Sequence, residues 1–145
     1  MKHKLPIVAF VLISSILAIN SVSSEDLVIV VNNNNSMTTL SKQDCKNIFL
    51  GKKTTWTNGS PITFVEPKLS SDLKKGFNAS FLSMSSGEVQ KYWVRETIRG
   101  NIPLPQTLGS AAEIVAFVSA NGNAIGYCNK ADLQASDKVK VVAIK

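Results

Sequence analysis

Histidine is almost missing from this chain: one of its 145 residues is a histidine, His3, and it stands between Lys2 and Lys4 at the amino terminus. Cysteine occurs twice, aromatic residues make up 7% and charged residues 18%. Each scarcity removes a class of function. No run of about 20 apolar residues is present, so a membrane span of ordinary length is not expected. No arginine-rich or aromatic-interleaved stripe is present either, so a nucleic-acid partner is not expected. The length accommodates one globular domain and not two.

Behind Met1-Lys2-His3-Lys4 lies an uncharged, mostly apolar run of 15 residues, Leu5 to Ile19. That length suits the h-region of a secretory leader, and Val22-x-Ser24 fits the small-residue rule for cleavage. Residues 1–24 are therefore expected to be a signal peptide cut before Glu25, with 25–145 as the domain and a periplasmic or secreted destination. An uncleaved anchor helix is the alternative, and it would require the bilayer to thin around a short run. With no cysteine at the cut, a lipoprotein-type anchor is not expected, nor is stable membrane insertion.

Removing 24 of 145 residues leaves 121 and takes away His3 together with two lysines. A Ser-His-Asp or Cys-His site, a histidine zinc site and a histidine general base are then excluded by inventory. The remaining carboxylates, lysines and tyrosines form no recognisable catalytic motif. An enzyme is not expected, and no metal or cofactor is implied. Of the 16 basic side chains 14 remain against 10 acidic ones, about +4. This mild bias permits an anionic ligand or surface.

Cys45 and Cys128 leave two readings open. Oxidation is the default for an exported chain, and closing a loop of 83 positions would be worth at most about 4–5 kcal/mol. Cys45 also shares a helical face with Ile48 and Phe49, and Cys128 ends an apolar strand, so both could instead be buried thiols.

The run Leu27-Val28-Ile29-Val30-Val31 predicts a strand buried on both faces, ended by a loop at Asn32–Asn35. Ser41 and Asp44 predict a helix start, with Leu50 its last residue and Gly51 its C′ stop. Pro61 introduces a strand over Ile62–Val65. Ser70 and Ser71 offer N-caps for a helix to about Leu82 with a stripe of Leu73, Phe77 and Phe81. Ser85-Ser86 with Glu88 begins a third helix, Glu88–Arg99, ending at Gly100, with Trp93 read as core. Pro103 and Pro105 hold an extended link, and Ser110 with Glu113 forms a capping box for a helix to Ala120. Strands at Ala124–Cys128 and Val139–Ile144 flank a short helical turn at Lys130–Leu133. Strands separated by helices predict an α/β fold with a mainly parallel central sheet of about four or five strands flanked by helices.

Ile48-Phe49-Leu50-Gly51-Lys52, followed by Trp56, resembles a signature of periplasmic phosphate-binding proteins of ABC transporters. Glu113–Val118 and Ala124-Ile125-Gly126-Tyr127 resemble that family's late helix and strand, in the same order. The resemblance runs from about Leu27 to Ile144 and implies one lobe of a two-lobed, periplasmic-binding-protein-like clamp, in a single-lobe short form. It implies binding of phosphate or another small oxyanion, weakened because half a clamp encloses less of its ligand, unless a protein partner or a second copy completes the cleft.

The same resemblance places the family's phosphate loop, of the form Arg-x-Asp-Gly-Ser-Gly-Thr, on Pro67–Leu73. Ser71 matches outright, whereas Pro67, Asp72 and Leu73 depart from the pattern. Ser70, Ser71, Lys68 and Lys74 are the candidate anion ligands, at a helix start that gathers free N–H groups and the positive end of the dipole. Thr38 and Thr39, beyond the first strand, are candidates by analogy with ligand sites at strand ends in α/β sheets. Two functions follow: a secreted solute-binding module with weak oxyanion affinity, or a non-catalytic accessory or scaffold protein that uses the lobe for protein contact and has lost anion binding.

Overall fold

The computed structural model describes residues 26–102 and 104–145, and the expected leader, residues 1–24, lies outside them. The elements are, in order, β1 (Leu27–Asn32), β2 (Thr39–Leu40), α1 (Lys42–Phe49), β3 (Thr63–Pro67), α2 (Asp72–Phe77), a π-helical turn (Asn78–Leu82), α3 (Ser86–Ile98), β4 (Gln106–Leu108), α4 (Ala111–Ala120), β5 (Ala124–Asn129), a 3-10 turn (Lys130–Asp132) and β6 (Val139–Ile144). They form one six-stranded sheet in the order β2-β6-β1-β5-β3-β4.

Three of the five neighbouring pairs are parallel, and β1 runs antiparallel to both β5 and β6. The sheet is thus α/β and mixed. The strands beyond the four legible ones are β2 and β4, two and three residues long, too short to show alternation.

The strands divide the core by their two-residue period. Ile29, Val31, Ile125 and Tyr127 face a cluster shared with α1, the α2 segment and α3, while Val30, Ala124 and Cys128 face a second cluster under α4. Both faces of β1 are covered, which is why its sequence is an unbroken apolar run.

Cys45 belongs to the first cluster and Cys128 to the second. Both are free and fully buried, so the bridge is corrected to two separate core thiols on opposite faces of the sheet. Burial pushes each thiol up to about 12, with Asp132 and Asp137 adding to the effect at Cys128. The thiolate is the reactive form. Neither cysteine is therefore expected to react with a disulfide reagent in the native protein, and both should react after unfolding without prior reduction. Fewer than two titratable thiols in the unfolded, unreduced chain would restore the bridge.

Serine caps open the helices as the sequence indicates. Ser41 Oγ accepts from the Asp44 N–H at 2.9 Å, and Ser85 with Glu88 forms a reciprocal box. At α4 the pattern is altered: Ser110 Oγ accepts from Glu113 N–H, but the Glu113 carboxylate accepts from Gly109 N–H at 2.6 Å instead of the Ser110 amide. The helix expected to reach Leu82 changes character after Phe77, and its last five residues are π-helical. A wider turn brings residues five apart toward one face, which keeps both Phe77 and Leu82 fully buried.

Candidate functional site

The residues that carry the resemblance are structural in this fold. Ile48, Phe49 and Leu50 are buried, and Phe49 meets Phe64, Phe77 and Tyr127 edge-on at centroid distances of 5.6, 4.8 and 5.4 Å. Gly51 has φ +70°, and a Cβ there would lie 2.8 Å from Ile102 Cδ1. Trp56 donates its indole N–H to the Asn123 carbonyl at 3.1 Å, tying the loop after α1 to the turn before β5. Trp93 is core, as expected, and stacks on Phe64.

The candidate anion ligands lie where β3 ends and α2 begins. Ser71 is the N-cap of α2, and its hydroxyl accepts from the Lys74 N–H at 3.1 Å. Its own N–H donates to the Lys68 carbonyl at 2.9 Å, closing a turn that leaves Lys68 and Ser70 exposed. Asp72, exposed, opens the helix beside them.

Lys74 does not join this exposed group. It is 3% exposed, and its ammonium donates to Glu66 Oε1 at 2.5 Å inside the protein. Glu66 is 1% exposed and comes from β3, on the side of the sheet that α2 covers. Burial raises the Glu66 carboxyl above the usual carboxylate range, and the opposing pull of Lys74 reduces that shift without cancelling it. The Tyr127 hydroxyl, also buried, is near enough to interact with this carboxylate, although no well-formed hydrogen bond closes between them. Burial and the neighbouring Glu66 charge both drive the tyrosine further from ionisation. The ammonium expected to face an anion is thus committed to an internal carboxylate.

Thr38 and Thr39 are exposed on the far edge of the sheet, where β2 pairs with β6. Four strand spacings separate β2 from β3, about 19 Å, so the threonines and the serines do not form one site. Glu66 is the residue that sequence reasoning passed over. Its signal was its place two residues after Phe64 in a strand whose alternation points both side chains to one face.

A cavity of about 360 Å³ opens beside the ion pair. Glu66 and Lys74 line it together with Leu69, Trp93, Val94 and Leu104. It is mostly apolar, with one internally neutralised pair, and presents no uncompensated cation.

Solved structures share this architecture. The chain aligns over 82% of its length with an ABC-type phosphate transport receptor from Vibrio cholerae, at 19% identity and a TM-score of 0.55. It aligns over 83% with PstS from Borrelia burgdorferi at 12% identity and a TM-score of 0.63. A Clostridium perfringens protein assigned as a phosphate ABC transporter substrate-binding protein, solved with phosphate bound, gives 22% identity over 82% and a TM-score of 0.62. The chain shares its fold with part of each of these solved structures.

This chain covers 46%, 47% and 44% of those three proteins respectively, so it spans about half their length, as a single lobe does. At these identities the likeness is one of fold. No protein-family model matches the sequence, and no curated protein matches it. Among the described residues of the lobe, no helix is long and apolar enough to cross a membrane.

Proposed function

We propose that the chain is an exported, non-catalytic solute-binding-type lobe in which oxyanion contact at the start of α2 is weak and contact with a protein partner dominates. The likeness in fold to a phosphate transport receptor and to a protein solved with phosphate bound supports the solute-binding part of this reading. The observation that carries the rest is the burial of Lys74 against Glu66, which leaves the cradle with Lys68 and Ser70 facing water, the half-buried Ser71 cap, and the carboxylate of Asp72 beside them.

The electrostatics favour weak binding. An anion at this helix start gains from free N–H groups and from the dipole, but it meets Asp72 at close range and one solvated lysine. In half a clamp these terms correspond to a dissociation constant on the order of millimolar. The apolar cavity next to the cradle suits a partner side chain better than a free anion.

A thermal-shift screen with phosphate, sulfate and acetate tests the reading, because a ligand that binds only the native state raises the melting temperature by mass action. The expected result is a stabilisation of at most about 0.4 kcal/mol at 1 mM anion, growing with concentration into the tens of millimolar without selectivity among the three anions. A selective rise at micromolar phosphate would overturn it.

A further inference from the structure

The outward side of α3 carries two stripes that solute binding leaves unused. Gln90, Val94 and Ile98 follow at four-residue steps, and Lys91, Arg95 and Arg99 form a parallel stripe next to them. Residues four apart stack along one side of a helix, so the row of Gln90, Val94 and Ile98, apolar in its last two members, and the cationic row lie side by side. Val94 is 50% exposed and Ile98 81%, and Leu104, in the link to β4, is 63% exposed. Single exposed apolar residues are ordinary. Here Val94 and Leu104 also line the cavity beside the Glu66–Lys74 pair, so the row leads into a concavity.

The charge beside this row is net positive. Glu96 lies 3.5 Å from Arg95 and 3.4 Å from Arg99, and Asn101 donates to it at 3.0 Å. Glu88, one turn before Lys91, lines a hollow with Lys91 and Arg95 but accepts from the Ser85 N–H at 2.7 Å, so three cations face two carboxylates that are both already held. Arg95 also lies over the Tyr92 ring, 5.7 Å from its centroid, which limits the freedom of its guanidinium before any partner arrives.

We propose that this face docks an acidic protein segment bearing one bulky apolar side chain. The side chain enters the cavity between Val94, Trp93 and Leu104, and the flanking carboxylates meet Lys91, Arg95 and Arg99. Guanidinium forks match carboxylates in two-point geometry. Rim charges of this kind set encounter rate and partner choice, while the inserted side chain supplies most of the affinity. A second copy fits less well, because a two-fold pairing would bring like stripes together. An anionic bilayer fits less well too, since a helix lying in a membrane surface inserts a continuous apolar face with bulky side chains, and this face has a hollow.

The proposal rests on the reading that the lobe works through a protein partner. It is tested by titrating the 15N-labelled protein with a blocked heptapeptide of six glutamates around a central phenylalanine. Amide shifts are expected to cluster at 89–99 and 104–107. Replacing the phenylalanine by alanine, or using the double variant Arg95→Gln/Arg99→Gln, is expected to weaken binding at least tenfold while the variant keeps a native amide spectrum. Absence of shifts, shifts elsewhere or indifference to the phenylalanine would overturn the proposal. So would preferential sedimentation with phosphatidylglycerol vesicles through these arginines, or a dimer formed through the same face. Those failures leave the weak-anion reading standing, whereas tight phosphate binding would remove that reading itself.

Discussion

Lys74→Ala is expected to lower the stability of the fold by about 3–5 kcal/mol at neutral pH, since removing one partner of a buried ion pair leaves the other charge uncompensated in the interior. Glu66 keeps 1% of its surface exposed, and water entering from the adjoining cavity replaces the lost ammonium only in part. The deficit should depend on pH in a definite sense. Burial already holds the Glu66 carboxyl above its ordinary range, and the native state therefore binds this proton more readily than the unfolded chain does. Stability then falls as pH rises from the unfolded carboxylate pKa through the raised native one. Loss of Lys74 widens that window, so the variant should recover part of its deficit on acidification, by protonating Glu66. Replacing both partners, as Glu66→Gln with Lys74→Met, should cost far less than Lys74→Ala alone and should flatten the pH dependence. Urea unfolding at several pH values measures all three variants. A Lys74→Ala protein as stable as the wild type at pH 7 would show that the pair is not closed inside the protein.

Gly126→Ala carries the second large effect, and its cause is steric. A Cβ at this position would sit 2.7 Å from Ile114 Cγ2 and 3.3 Å from Val65 Cγ2, so β5 and α4 approach as closely as they do because glycine separates them. Overpacking of this kind costs about 1–3 kcal/mol. The neighbour that must yield is a β-branched residue of α4, whose side chain is stiff in a helix. Gly76→Ala is the useful contrast: it lies inside α2 with nothing within 4 Å of the added Cβ, and a helical glycine replaced by alanine gains about 0.5–1 kcal/mol. The two substitutions should shift the thermal midpoint in opposite directions. Combining Gly126→Ala with Ile114→Ala, which removes the opposing methyl, should cost less than the sum of the two single changes.

Most of the fold was legible because its local signals agree with its packing. The run Leu27–Val31 announced a strand covered on both faces, and the serines at 41, 71, 85 and 110 became N-caps. The opposed direction of β1 was hidden, because strand direction is set by connections across the sheet and not by the pattern within a strand. The π-helical turn was hidden for a related reason. Its cause is the need to bury both Phe77 and Leu82, which no local propensity expresses.

The local structure of the candidate stretch was legible, and the partner of its lysine was not. The Pro67–Leu73 stretch does end β3 and open α2, with Ser71 as the cap. Helical spacing alone put Lys74 one turn from the serines, where it looked available to an anion. Its actual partner, Glu66, lies eight residues earlier and is brought close by the turn between β3 and α2. A carboxylate on the inward face of a strand is the sign that a cation must be buried with it. That Thr38 and Thr39 lie apart from the serines could not be read locally, because the strand order, which sets them on opposite sides of β6, β1 and β5, is a property of the whole sheet.

Calorimetric titration of the protein with inorganic phosphate tests the central claim most directly, namely that this lobe has turned its cradle lysine inward and holds oxyanions only loosely. The expected result is a dissociation constant of about 1 mM or weaker, changed less than threefold by Ser70→Ala. A single site of micromolar affinity, lost on Ser70→Ala or Lys68→Ala, would contradict the account.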